Sequence, residues 1–392
     1  MKFSVLIPTR NRLELLDYAI RTVVRQDYDD WEVIVADNDS VEDVRGYVAA
    51  LRDSRIRFFR TESFIPVTDN WNFALSKSVG EYVVMLGDDD CLLKGYFTHL
   101  LELINRFWNP DFVYTDAIQY AYPGVIPGHP QGFLQIGHTG FFEQNGTEPF
   151  ILPRIHALRA VRDSMRFKVT FGYNMQHFLI SRRIIETLAS AGPFFQSPYP
   201  DYYAANALFL KSERALIVPK PAVAIGISKK SFGYYYFNGK EMEGNLFLNN
   251  QVSADMRTQL ATVLLPGSAM NTSWLVAMET IKKNFPQDAA FPVDHRRYRL
   301  LQVISVWRNE GAAAVLRLTR RLTIAEAAVV SALAAAFALS YLLPRRLRRA
   351  VYDKIAAKIG AYPKFDHRRK LVPYKDIFEV FEHIEAGYYQ IP

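Results

Sequence analysis

The sequence predicts an α/β protein with a mostly parallel, doubly wound sheet and a mainly helical C-terminal extension. Short apolar runs rich in β-branched residues recur at Phe3 to Ile7, Trp31 to Ala36, Ile56 to Arg60 and Tyr82 to Leu86. Continuous apolarity of this kind suits strands buried on both faces of a sheet. Between the runs lie segments with helical spacing, and strands alternating with helices build parallel sheets. Each run also ends in polar residues, and in an open parallel sheet the ligand lies outside the carboxyl ends of the strands.

Taken in order, Pro8 closes the first strand and the polar loop Thr9 to Arg12 leads into a helix. Its apolar positions Leu13, Leu16, Ile20, Val23 and Val24 recur every three or four residues and share one face. The second strand ends in Asp37, Asn38, Asp39 and Ser40, and a helix over 41–51 follows. After the third strand, Asp69 reads as the N-cap of a helix through Ser78, with Trp71, Ala74 and Leu75 facing inward. The fourth strand runs into three consecutive acids, Asp88, Asp89 and Asp90. Adjacent carboxylates at the end of a buried strand repel one another unless a cation lies among them, and a hard divalent ion with oxygen ligands is the natural candidate. A solvated acidic turn is the plain alternative. Further on, a helix is expected over 94–105, a strand over 112–115, and loop through the Gly- and Pro-rich stretch 121–153 that carries Phe133, Phe141 and Phe142. A helix over 154–166, a strand over 176–181 and a helix over 182–191 complete this part.

A chain of 392 residues has room for a large core, and 49% apolar and 22% charged residues exclude a disordered class. Aromatics reach 14%, which suits sugar or lipid contacts as well as packing. The net charge of +7 is modest, and much of the excess falls late, at Arg317, Arg320, Arg321, Arg345, Arg346, Arg348 and Arg349. That placement speaks for a local surface and against nucleic acid. A single cysteine, Cys91, rules out an internal disulfide or a multi-cysteine zinc site, and the apolar run at the start is short for a signal peptide. A cytoplasmic protein, at the inner face of the cell membrane if it touches lipid, is expected.

The loop Arg10 and Arg12 and the acids opposite it would together suit a diphosphate, since arginines and a metal ion both neutralise phosphate oxygens. In order and spacing, VLIPTRNR, VIVADNDS and GEYVVMLGDDD resemble glycosyltransferase family 2 over about the first 120 residues, and loosely over the next 100. The resemblance implies a GT-A fold and inverting transfer of a sugar from a nucleotide diphosphate donor, with Mn²⁺ or Mg²⁺ held at the acid motif. It implies a bacterial enzyme of polysaccharide or cell-envelope biosynthesis whose acceptor is a glycan or a lipid-linked sugar. Pro8, Thr9, Arg10, Asn11, Arg12, Asp37, Asn38, Asp39, Asn72, Asp88 and Asp89 would then hold the nucleotide sugar, and Asp88, Asp89 and Asp90 the metal. Two departures stand out. Asn38 replaces a second acid beside Asp37, and the first acid of the metal motif falls either on Gly87 or on Asp88. Asp88 and Asp90 are the preferred ligand pair, with Asp89 a close rival.

In the stretch GPFFQSPYPDYYAANALF, Asp201 opens an apolar helix and reads as an N-cap acid. By the resemblance it is the general base that deprotonates the acceptor hydroxyl, which a neutral alcohol needs to act as a nucleophile. His177 is the chemical rival, although a lone His in an apolar strand is more often core. A domain over 1–220 and a mainly helical region over 221–392 are expected. In the second, Tyr234, Tyr235 and Tyr236 are candidate acceptor contacts. The uncharged segment Ala327 to Leu343, followed by PRRLRR, reads as a buried helix or as a helix making peripheral membrane contact through 324–349. Roughly 17 residues span about 25 Å, short of a hydrocarbon core of ~30 Å. A catalytically silent sugar or nucleotide binding module, or a sugar nucleotidyltransferase, would share the architecture. The latter class starts with a Gly-rich phosphate loop where this chain has PTRNR.

Overall fold

The computed structural model describes residues 1–136, 146, 148–340, 347 and 374–387. Its first part alternates β1 (Phe3–Thr9), α1 (Leu13–Val24), β2 (Trp31–Asp37), α2 (Val44–Ala50), β3 (Ile56–Arg60), α3 (Val67–Ser76), β4 (Tyr82–Met85), β5 (Cys91–Leu92), α4 (Tyr96–Arg106) and β6 (Phe112–Ala121). Then come β7 (Phe133–Ile136), β8 (Phe150–Ile151), α5 (Arg154–Met165), β9 (Phe178–Ser181), α6 (Arg182–Leu188), α7 (Pro200–Lys211) and β10 (Ala215–Ile227). Every residue of β1, β2 and β4 is buried, because helices cover both faces of the sheet. The period of two divides each strand between two cores. Phe3, Val5 and Ile7 pack with α1 and α4, whereas Leu6 and Ile34 pack on the side of α3, α5 and α7.

The strand order is β3-β2-β1-β4-β9-β6-β10-β5, with β7 on β6 and β8 on β10. β1, β2, β3 and β4 pair in parallel, and β10 is parallel to β6. β9 runs against both β4 and β6, so the centre of the sheet is mixed where the sequence predicted parallel order. An apolar tetrapeptide such as Phe178–Ser181 carries a period but no direction; the connections before and after it set that. Since β9 opposes both neighbours, β6 and β10 still point the same way as β1 to β4, and their carboxyl ends gather on one edge.

Several expected boundaries shift. Pro66, not Asp69, caps α3, and Asp69 lies in its first turn, where an acid meets the positive helix end. β6 continues to Ala121, and the Gly- and Pro-rich stretch after it contains β7 and β8. Phe133 is buried, while Phe141 and Phe142 lie outside the described residues. β10 passes straight through residue 220, carrying the sheet to Ile227.

Beyond it come α8 (Phe232–Phe237), α9 (Glu241–Phe247), α10 (Ala254–Gln259), α11 (Ala269–Asn284), α12 (His295–Glu310), α13 (Ala312–Leu318), α14 (Ile324–Ser340) and α15 (Ile377–Glu385). The helices α11 and α12 share one core with α5 and α7, with Trp274 of α11 stacked on Tyr202 of α7 at 5.3 Å. α15 returns to the sheet, where Ile377, Phe378 and Phe381 pack with Cys91, Ile118 and Tyr120.

The reversed strand is held by aromatic packing: Phe178 is fully buried with rings of Phe112, Tyr114 and Phe209 around it. Phe178→Ala should cost about 3–5 kcal/mol of unfolding free energy, read from the urea midpoint. A loss below about 1 kcal/mol would show that the strand is not anchored by this cluster.

Candidate functional site

The three acids fold into a turn at the carboxyl end of β4, and each has a different set of partners. Asp88 is fully buried; its Oδ2 accepts from Thr9 Oγ1 at 2.6 Å, and Arg12 Nε lies 2.9 Å away, close enough for an ion pair though its N–H is not aimed as a hydrogen bond. Asp88 Oδ1 is buried with no hydrogen-bond partner. Asp89 Oδ2 accepts from Ser228 Oγ at 2.9 Å, and its Oδ1 lies 4.0 Å from Arg12. Asp90 is saturated. Gly87 N and Gln176 Nε2 donate to its Oδ2 at 2.9 and 2.6 Å, and Gly226 N donates to its Oδ1 at 2.8 Å.

Burial, with Asp89 alongside, raises the Asp88 carboxyl to about 7 against the pull of Arg12. Burial raises Asp90 well above the usual carboxylate range as well. Two glycines make the turn fit. A Cβ at Gly226 would fall 1.9 Å from the carbonyl oxygen of Asp89, and one at Gly87 would fall 2.4 Å from Asp90 Oδ2. A Cβ at position 87 would therefore press on the Asp90 carboxylate, which has to shift to admit it.

The turn Met175–His177 joins the acids to Asp201. Met175 N donates to Asp201 Oδ1 at 2.9 Å, while the next residue, Gln176, donates to Asp90. Asp201 lies in the first turn of α7, behind Pro200, and Tyr199 caps that helix, so the N-cap expectation gives way to an acid at the positive helix end. It keeps part of its surface open to solvent, yet the surrounding chain is dense enough that burial raises its carboxyl to about 7, against the bond from Met175. His177 is a core residue: Nδ1 contacts the Thr115 carbonyl at 2.8 Å, the ring stacks on Tyr114, and burial lowers it to about 4.

The loop after β1 lines the other side. Pro8 lies past the last β1–β4 pair, Leu6 with Met85, where the strand has already lost one neighbour. Arg10 stacks 3.8 Å over Phe64, and its buried Nε has no partner. Asn11, in the left-handed region at φ 55°, bonds Ser40 and Val41. A second loop closes on this one: Lys230 Nζ donates to the Asn11 carbonyl at 2.7 Å and Arg12 donates to the Lys230 carbonyl at 3.1 Å.

Asp37 and Asp39 both receive Arg60 at the end of β3, at 2.9 and 2.7 Å. The Asn38 amide pairs with the backbone N–H and carbonyl of Ile65, and the Asn72 amide does the same with Phe195. Both side chains therefore fix loops as well as standing near the site.

Gln176, Gly226, Ser228 and Lys230 bond the acids or the facing loop and are the positions that the sequence did not flag. Pro219 and Pro221 hide β10 as a strand, and the register slips on both sides of Pro221 absorb them.

Among the described residues no three His, Cys, Asp or Glu side chains surround a point suited to a metal ion. The donor set does fit a smaller protein share. Asp88 offers an orphaned buried oxygen, Asp89 is its neighbour, and a magnesium-like ion is commonly bound by one or two carboxylates plus substrate phosphates. Asp90, the other acid of the preferred pair, has both oxygens engaged by three donors and so also serves the turn.

An acid whose folded-state pKa is raised is neutral in the fold after it would ionise in the open chain. Its stabilising share is present below the unfolded value near 4 and is lost as pH rises through about 7. Asp201→Asn should therefore gain stability relative to the parent chain between pH ~4 and ~7, measured by urea denaturation across that range. A constant difference would mean that Asp201 titrates as an ordinary surface acid.

Residues 4–163 match the family described as Glycosyl transferase family 2. The chain is 38% identical over 108 residues to the Campylobacter jejuni protein named GalNAc(5)-diNAcBac-PP-undecaprenol beta-1,3-glucosyltransferase, covering 27% of this chain and 35% of that one. It is 32% identical over 136 residues to the Escherichia coli K12 protein named putative colanic acid biosynthesis glycosyl transferase WcaA, covering 33% and 48%. The matches thus span less than half of these relatives. A solved structure of S. aureus TarS 1-349 in complex with UDP-GlcNAc aligns over 82% of this chain and 92% of that one, at 14% identity and a TM-score of 0.49. The chain carries a glycosyl transferase family 2 domain over residues 4–163, with a GT-A-like mixed sheet, and that domain contains the acid turn and its facing loop but neither Gln176, Asp201 nor Ser228.

Proposed function

We propose that the chain is an inverting glycosyltransferase that moves a sugar from a nucleoside diphosphate donor to a hydroxyl of a lipid-linked or glycan acceptor at the inner face of the cell membrane. The observation that carries this is the single turn at Met175 and Gln176, which bonds Asp201 with one residue and the acid turn with the next. This supports a base for the acceptor and a charged end for the donor lying near one another at the carboxyl edge of the sheet, where open parallel sheets bind ligands. The undecaprenol-linked acceptor named for the Campylobacter relative supports the acceptor class.

In the reaction the acceptor O–H gives its proton to Asp201, the acceptor oxygen bonds to the anomeric carbon, and the bond from that carbon to the diphosphate breaks. The electron pair leaves with the nucleoside diphosphate. Asp88 and Asp89 would hold a divalent ion, whose chemistry is to neutralise charge on the diphosphate. Arg12 is already engaged by Asp88 and Asp89. Arg10 and Lys230 have no carboxylate partner among the described residues and are the cations left for phosphate oxygens. A pKa near 7 suits Asp201, since a base works best when its pKa lies near the working pH.

Turnover is expected to rise with pH through about 7, as Asp201 ionises, and then level off. Asp201→Asn should lower kcat by about 10²–10⁴-fold with donor binding intact. The assay is nucleoside diphosphate release from UDP, GDP and dTDP sugars with Mn²⁺ or Mg²⁺, beside a variant with Asp88 and Asp89 both changed to Ala. Release that ignores those two acids and the metal removes the proposal, and release of pyrophosphate would make the protein a nucleotidyltransferase.

A further inference from the structure

The uncharged segment read from the sequence as a buried helix or as a peripheral membrane contact is not buried on most of its described surface. α14 is anchored along one line. Glu326 receives Arg299 at 2.7 and 3.1 Å, and Val330 joins a small cluster with Val303, Val306, Ala314 and Leu318. At 100° per residue, Glu326, Ala327 and Val330 fall together on that side. Ile324, Ala325, Ala328, Val329, Ala332 and Ala335 fall on the opposite side, within an arc of roughly 140°. All six are exposed, Ile324 at 92% and Val329 at 48%. The anchored and the open faces are thus diametrically opposed. The outcome is an apolar stripe facing outward on a helix with no charged residue from Ala327 to Ser340.

The charge around this stripe indicates what covers it. Arg317, Arg320 and Arg321 precede the helix and are exposed; Arg317 is 3.9 Å from Glu310, and neither Arg320 nor Arg321 has a carboxylate partner among the described residues. Arg345, Arg346, Arg348 and Arg349 follow it in sequence. A second copy of the chain packing stripe to stripe would bring like charges together, which opposes association. An anionic lipid surface accepts both features at once: apolar side chains enter the acyl boundary while arginines meet headgroups. Spanning is a different matter, because no described helix is long and apolar enough to cross a membrane.

We propose that α14 with its flanking arginines is a membrane-docking element that lies in the plane of an anionic lipid surface. Alanine contributes little apolar area, so the stripe is too weak to hold a neutral bilayer and the arginines supply the rest. Binding is therefore selective for anionic lipid and falls with salt.

The test is co-sedimentation of the full chain with vesicles of phosphatidylcholine alone and of phosphatidylcholine with about a third phosphatidylglycerol. The parent chain should pellet with the second and not the first, and less so as salt rises. Arg320→Glu with Arg321→Glu, and separately Ala328→Glu with Ala332→Glu, should each lower partitioning by at least about tenfold. Circular dichroism and the thermal midpoint check that each variant is folded. Equal binding to both vesicle types, or none to either, overturns the proposal. So does a concentration-dependent dimer that the alanine variant abolishes, which would assign the stripe to a second copy.

Discussion

Three adjacent carboxylates at the end of a buried strand are the constraint around which the rest of this structure is arranged. Left alone they would repel, and their burial would make each ionised form costly. The fold answers with parts brought from far along the chain. Thr9 and Arg12 come from the end of β1, Gln176 from the turn before β9, and Gly226 and Ser228 from the end of β10. Because these partners come from three separate parts of the chain, satisfying the acids also fixes how those parts meet. The reversed β9 has a function in this light. It brings Met175 and Gln176 to the same edge where β1, β4 and β10 terminate.

The division of labour among the acids follows from their partners. Asp90 accepts three hydrogen bonds, two of them from backbone N–H groups, and is as much a part of the turn as Gly87 is. Asp88 has one oxygen in use and one without a partner in a buried setting, a costly state unless something else comes to it. Asp89 is held by a serine that lies 139 residues away in sequence. A motif of three identical letters therefore contains one acid engaged by three donors and two with fewer partners, and only long-range contacts tell them apart.

How much of this was legible beforehand depends on the range of the signal. β1 to β4 show in the sequence because their burial is written as local apolar runs, and the acid turn shows because like charges stand side by side. Asp201 shows because a Pro and an acid open an apolar helix. Gln176 and Ser228 carry no local mark at all; each is an ordinary polar residue until the sheet places it against an acid. β10 is concealed for a different reason, since Pro219 and Pro221 argue against a central strand and only the slipped register with β6 lets them in. The amides of Asn38 and Asn72 were legible as polar groups near the site but not as backbone clamps. Whether an amide reads a ligand or a loop depends on which chain segment reaches it first.

Asp88 and Asp201 show how one physical cause yields two chemical roles. Burial raises both to about 7. Asp88, however, stands beside Arg12 and Asp89. Asp201 has no ion pair among the described residues, only one backbone N–H, so nothing fixes its proton strongly either way. An acid with a cation and a second acid beside it is suited to holding charge, and an acid without them is suited to gaining and losing a proton near neutrality. The turn at Met175 and Gln176 bonds Asp201 directly and reaches the acid motif through Asp90. On the proposed reading, charge neutralisation at the donor and proton removal at the acceptor would then fall to different acids, so that neither has to take over the other's task.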